Sequence, residues 1–138
     1  MKKRATIQSL FAVAALYECF LGILFMLLPN IVFERFCITP PNHFAYIQFP
    51  AALLVIFGIM FVTIAINPAL NRNLIPYGIL LKLSYCGIIC FYWLTSGIPQ
   101  LWKLFALFDF LFLVMFVWAF VVIPRKSVDD RNYTKLGN

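Results

Sequence analysis

Charged residues are scarce in this sequence. They make up 12% of its 138 residues, whereas hydrophobic residues make up 64%, and this balance lies outside the range of soluble globular domains. The sequence therefore predicts a membrane protein. Spanning segments and short turns would occupy nearly all of the chain, which leaves no room for a second domain or a sizeable soluble head.

The sequence also lacks the residue patterns of common catalytic and metal sites. Its one histidine, His43, cannot make a zinc site and excludes bis-histidine haem ligation within one subunit. No C-x-x-C motif occurs, and serine-nucleophile, phosphate-loop and metal-hydrolase signatures are missing. We therefore expect no metal site, find no positive evidence for an enzyme, and can name no cofactor.

Four segments are apolar over the roughly 20 residues that a helix needs to cross about 30 Å of hydrocarbon. Most of the eight prolines lie at the ends of these segments, where helices tolerate them. Pro50 is the exception, and it marks either a first turn or a kink. Because the connections are short, we predict an all-α, up-down-up-down four-helix bundle in the membrane. The predicted helices are 7–28, 44–66, 76–95 and 101–123.

Basic residues predict the orientation, because cytoplasmic loops carry more lysine and arginine. The opposite side of the membrane offers only Arg35 and Lys103, so both termini should be cytoplasmic. Residues 124–138 then form a cytoplasmic tail, which is polar and loosely ordered over 127–138. The basic residues on the cytoplasmic side are Lys2, Lys3, Arg4, Arg72, Arg125, Lys126, Arg131 and Lys135. We expect a multi-pass protein of a bacterial inner membrane. The net charge of +6 suits anionic lipid headgroups and does not indicate nucleic acid.

The four cysteines suggest packing rather than redox chemistry. Cys19, Cys86 and Cys90 fall within predicted helices, where we expect buried small hydrophobes. Cys37 lies in the first loop, with no second cysteine beside it, so a disulfide there would have to be intermolecular.

Small residues recur at helical spacing, as in Ala51, Gly58 and Ala65. Such stripes let membrane helices approach closely, within one chain or between copies. The sequence thus leaves open a homo-oligomer or a complex with another membrane protein.

Three ionisable residues, Glu18, Lys82 and Asp109, lie inside the apolar segments. A charge near the bilayer centre costs roughly 2.5 to 3.5 kcal/mol on insertion scales, and all three positions fall near the midplane at about 1.5 Å of rise per residue. We predict an ion pair between Lys82 and Asp109 on sequential helices. Glu18 is then either a second partner of Lys82 or a carboxyl kept neutral by burial.

These charges favour one of two roles. They form an interhelical clamp that fixes register, or they line a polar pocket that binds a headgroup, a quinone or another small ligand, or relays a proton. Four further residues could extend such a pocket, or could simply pack or anchor the chain at the membrane interface: Tyr17, Ser84, Tyr85 and Tyr92. His43, at the outer end of the second helix, is a candidate proton acceptor or ligand contact, or an interface residue.

Several short motifs lie along the four predicted helices and the first loop. They are Ala15-Leu16-Tyr17 before Gly22, the Pro-Asn of the first loop, Gly58, Gly78-Ile79-Leu80-Leu81-Lys82 and Phe108-Asp109. In these features the chain resembles small four-helix bacterial inner-membrane proteins of the DoxX-like superfamily. The resemblance implies a four-helix bundle and, for a few relatives, an accessory role beside quinone-linked oxidoreductases. It carries over no cofactor-binding residue, and Glu18 stands where similar chains often have an uncharged polar residue.

Three functions remain open from the sequence. The first is a non-catalytic bundle that binds a partner protein or a lipid-like ligand, since catalytic motifs are missing and lipid-facing aromatic surface is large. The alternative is a small proton-coupled or solute transporter built on Glu18, Lys82 and Asp109. The third is a membrane subunit of a quinone-linked oxidoreductase.

Overall fold

The computed structural model describes residues 2–124, and every regular element in that range is helical. Four long helices and one short helix follow each other along the chain, with a 3₁₀ turn at Arg72–Leu74. Of the tail predicted at 124–138, all but Pro124 lies outside the described residues. The helices are α1 (Lys2–Leu27), α2 (Pro29–Arg35), α3 (Ala45–Ile66), α4 (Ile75–Thr95) and α5 (Gln100–Val122).

The four long helices confirm the predicted all-α bundle. Within the described range, they are the helices long and apolar enough to cross a membrane, with candidate spans of 22 to 25 residues. At 1.5 Å per residue such spans exceed the roughly 30 Å of hydrocarbon. The protein is therefore a multi-pass membrane protein with an up-down-up-down arrangement of its long helices.

The observed helix bounds differ from the predicted ones mainly at the start of the chain and in the first loop. α1 begins at Lys2, because basic residues propagate a helix as well as apolar ones do. The first loop contains α2, a short helix that buries Val32 and Phe33. α3 begins at Ala45 and continues through Pro50, so a helix start near Pro50 is wrong.

The long helices pack as two hairpins. α1 lies along α3 to form the first hairpin, α4 lies along α5 to form the second, and the close backbone contacts between the hairpins are few. Glycines permit the close approach in the first hairpin: a Cβ on Gly22 would lie 2.6 Å from the carbonyl oxygen of Ala51, and one on Gly58 would lie 3.2 Å from that of Ala15. The small-residue stripe thus works within one chain.

Two apolar clusters lie at different depths in the bundle, and the buried charges lie between them along α1 and α5. The cluster nearer the chain ends is built around Phe11, Phe61 and Phe116, which have no exposed surface. The ring of Phe116 lies 4.6 Å from that of Phe11 and 5.0 Å from that of Phe61. Gly78 of α4 packs against Phe61 and Phe116, so all four long helices meet there. The other cluster lies toward α2 and includes Leu21 and Phe25.

Arg72, in the 3₁₀ turn, caps the C-terminal end of α5. Its Nε donates to the carbonyl of Ile123 at 2.7 Å, and its Nη2 donates to that of Phe120 at 2.8 Å. The guanidinium also lies 3.8 Å from the centre of the Phe120 ring. The last carbonyls of a helix lack partners within the helix, so Arg72 satisfies two of them and ties the α3–α4 connection to α5.

Candidate functional site

Glu18, Lys82 and Asp109 form one charged cluster. Lys82 Nζ donates to Asp109 Oδ1 at 2.6 Å and also to Glu18 Oε1. Glu18 and Lys82 are each 1% exposed and Asp109 is 7% exposed. The predicted ion pair of Lys82 with Asp109 is confirmed, and of the two alternatives for Glu18, the structure has it as a second partner of Lys82.

The charged cluster holds one carboxylate more than it holds ammonium groups. Full ionisation of its three members would leave a net charge of −1, and within the described chain these are the only salt bridges. An uncompensated buried charge costs several kcal/mol in a protein interior. The cluster is therefore balanced only when it holds one further positive charge, either a proton or a cation.

Lys82 is enclosed on its remaining sides by aromatic rings. Its Nζ lies 5.1 Å from the centre of the Tyr17 ring and 5.5 Å from that of Phe112, within the range of cation–π attraction. Two carboxylates and two rings thus surround the ammonium, and Lys82 does not line the adjacent cavity.

A cavity of about 300 Å³ lies between the two hairpins, next to the charged cluster. It extends from the cluster toward the α2 end of the bundle, and its walls are largely aliphatic and aromatic, with Glu18 and Asp109 at the cluster end. Pockets of this size and composition are typical of small-molecule sites. The lining residues are Tyr17, Glu18, Leu21, Phe25, Ile47, Pro50, Ala51, Leu53, Leu54, Leu81, Ser84, Tyr85, Ile88, Trp102, Phe105 and Asp109.

The cavity opens sideways, between α3 and α4. The exposed members of its lining are Pro50 and Leu53 on α3 and Ser84 and Ile88 on α4, and these two helices make few contacts with each other. All four residues lie within candidate membrane spans. The opening between them therefore faces the hydrocarbon of the bilayer.

Two tyrosine hydroxyls lie near the cavity. Tyr85 Oη donates to the carbonyl of Trp102 at 3.4 Å. The hydroxyl of Tyr17 is buried and has no hydrogen-bond partner among the described residues. An unpaired buried hydroxyl costs about 1–3 kcal/mol, so Tyr17 offers a polar bond to any ligand with a donor or acceptor at this depth.

The structure thus brings together five of the six candidate site residues. Tyr17, Glu18, Tyr85 and Asp109 line the cavity, and Lys82 lies behind the carboxylates. The sixth, His43, lies apart from the cavity in the loop before α3, where its Nδ1 accepts a hydrogen bond from the backbone N–H of Ala45 at 3.1 Å. His43 therefore binds a free backbone N–H at the start of α3.

Sequence reasoning missed most of the cavity wall. Trp102 and Phe105 on α5 and Leu81 on α4 line it, yet in sequence they resemble any lipid-facing residue of their helices.

The expectation of a buried cysteine is wrong for Cys90, which is exposed, whereas Cys19 is partly buried. In the described range no group of three or more His, Cys, Asp or Glu side chains could hold a metal ion.

No protein-family model, curated protein or solved structure matches the chain. The charged cluster and the cavity are therefore the features of this protein that point to a function.

Proposed function

We propose that this protein is a non-catalytic membrane bundle that binds a lipid-like molecule in the cavity between its two hairpins. The observation that carries the proposal is the sideways opening of the cavity between α3 and α4, at the depth of the hydrocarbon. A molecule dissolved in the bilayer can enter there without crossing water.

The cavity wall supports an amphiphilic ligand. The hydrocarbon part would lie against Leu21, Phe25 and Phe105, and a polar end would reach the carboxylates at the other end of the cavity. A clamp alone would need one carboxylate for one lysine, whereas this cluster has two and both line the cavity. The excess carboxylate therefore favours a ligand role beside the structural one.

We further propose that the protein lies in a bacterial inner membrane with both termini cytoplasmic. The support is the uneven distribution of lysine and arginine, which leaves Arg35 and Lys103 alone on the side of α2. This orientation puts the α2 end of the cavity toward the outer leaflet.

The proposal is tested by native mass spectrometry of the protein extracted gently from its own membrane. The wild type should retain a small amphiphile. Ser84→Phe, which places a ring in the opening, should lose it, and Leu83→Phe should keep it because Leu83 is exposed and lies outside the cavity lining.

Two outcomes would contradict the proposal. One is a wild type without any small molecule, and the other is equal retention by both variants. A stoichiometric second protein in place of the amphiphile would favour an accessory role, such as the one beside a quinone-linked oxidoreductase that the resemblance implies.

A small proton-coupled transporter is the second candidate. The odd carboxylate of the charged cluster favours it, because that group can exchange a proton for a cation. In reconstituted vesicles, Asp109→Asn should abolish substrate-linked proton flux. Unchanged flux would count against transport and would leave the binding proposal intact.

A further inference from the structure

We infer that the ligand is cationic: a single-chain amphiphile whose protonated amine pairs with Glu18 and Asp109. The inference rests on the proposed function and adds the chemical class of the head group. Both carboxylates line the cavity, whereas Lys82 does not. A head group that enters the cavity therefore meets the two acidic side chains before it meets Lys82.

The alternatives fit the same wall less well. An anionic head group would meet two carboxylates, and Lys82 already donates to both of them. A neutral hydroxyl could pair with the free hydroxyl of Tyr17 but would add no charge, so one carboxyl of the cluster would have to keep its proton. An ammonium supplies both a positive charge and three N–H donors, so it satisfies a carboxylate and Tyr17 together.

Charge balance links binding of the amine to release of a proton. The empty cluster is neutral when Lys82 is charged and one of its two carboxyls retains a proton. Because the opening faces hydrocarbon, the amine first gives a proton to water at the membrane surface and enters as the neutral base. Inside the cavity it takes the carboxyl proton, and the resulting ammonium pairs with the carboxylate, so one proton is released to water overall. The α3 residues that line the cavity are apolar. The titratable groups of the cluster and its surroundings come from the other three long helices: Tyr17 and Glu18 from α1, Lys82, Tyr85 and Cys86 from α4, and Asp109 from α5.

Cavity size restricts the hydrocarbon part. A volume of about 300 Å³ equals that of about ten water molecules at about 30 Å³ each. A single alkyl chain of medium length fits with its end in the opening, whereas the two chains of a phospholipid do not. The amine is therefore carried by a single-chain molecule, from the membrane or from outside the cell.

The test uses the full chain in phosphatidylcholine nanodiscs, whose lipid carries no primary amine. Decylamine, 1-decanol and decanoate share a chain length and differ in head-group charge. Trp102 lines the cavity and reports binding by its fluorescence once Trp93 and Trp118, both outside the lining, are replaced by phenylalanine. Ser84→Phe in the same background measures the signal from partitioning into lipid alone.

We expect decylamine to bind at least about tenfold more tightly than 1-decanol, and decanoate to bind most weakly. The affinity for decylamine should rise with pH, because protons compete for the same carboxylate, whereas the affinity for 1-decanol should stay level. Glu18→Gln should remove both the preference for the amine and its pH dependence. Phosphatidylethanolamine, a two-chain lipid amine, should not displace decylamine, and displacement would overturn the single-chain part of the inference.

The outcomes separate the inference from the proposed function. Equal binding of decylamine and 1-decanol, blocked by Ser84→Phe, would overturn the cationic ligand and keep the lipid-like one. A preference for decanoate would also overturn it. Signals that Ser84→Phe leaves unchanged for all three probes would overturn the cavity as a binding site. The order in which the three probes bind to the protein with Glu18 intact decides between these outcomes. The test therefore stands even if the Glu18→Gln variant folds poorly.

Discussion

Glu18 and Lys82, 64 residues apart in sequence, form the ion pair that joins the two helix hairpins. Few close backbone contacts connect the hairpins, and this pair joins them together with the packing of Phe116 on Phe11 and Phe61. The bond from Lys82 to Asp109 lies within the second hairpin and holds the ammonium in place for Glu18.

Removing the lysine should destabilise the bundle severely. Lys82→Met leaves two buried carboxyls without a cation, and breaking a buried ion pair from one side costs about 3–5 kcal/mol. The free energy of unfolding in mixed micelles with increasing sodium dodecyl sulfate measures the loss.

The control removes all three charges together. Glu18→Leu, Lys82→Met and Asp109→Leu in one chain should recover about half or more of the lost stability, because apolar replacements leave no unpaired charge. A Lys82→Met protein as stable as the wild type would show that the cluster does not hold the hairpins together.

The same substitution should have opposite effects at two glycines. Gly58→Ala should cost about 1–3 kcal/mol, because the new Cβ collides with Cys19 Sγ and lies 3.2 Å from the carbonyl oxygen of Ala15. Gly87→Ala meets no atom within 4 Å and should gain up to about 1 kcal/mol from the higher helix propensity of alanine. Thermal unfolding in detergent compares the two, and a loss at both positions would contradict the close packing of α1 on α3.

Replacing Arg72 should loosen the end of α5. Arg72→Ala removes two hydrogen bonds from a charged donor to the carbonyls of Phe120 and Ile123, each worth about 1.5–3 kcal/mol when well formed. Amide hydrogen exchange over the last turn of α5 should speed up. Arg72→Lys should restore part of the protection, since an ammonium cannot match the fork of a guanidinium, and Asn73→Ala, an exposed neighbour, should change nothing.

Labelling of Cys37 should test the proposed orientation. Cys37 is exposed, in the loop between α2 and α3. In a chain whose other cysteines are serine, a membrane-impermeant maleimide added to spheroplasts should label it. A cysteine placed at Asn73 in the α3–α4 connection should react only after the membrane is permeabilised. The reverse labelling pattern would show that the protein has the opposite orientation in the membrane.

The helices and the charged cluster follow from the sequence, and the cavity does not. Long apolar runs and terminal prolines predict four spans because hydrocarbon tolerates little else. The cost of burying a lone charge predicts that Lys82 finds Asp109 on the next helix. Whether Glu18 also reaches Lys82 depends on how the two hairpins meet, which the pattern of single helices does not encode. Likewise, α2 is too short for a periodic signal, and Trp102 lines a cavity only because the hairpins leave a gap.

The long sequence separation of Glu18 and Lys82 also bears on how the protein is made. A ribosome completes the first hairpin before α4 exists, so Glu18 reaches the membrane while its cation is still unsynthesised. It must enter as a neutral acid or wait near the lipid headgroups. Synthesis of α4 then supplies Lys82 as its cation, so a chain that stops after the first hairpin holds a buried carboxyl without an ionic partner.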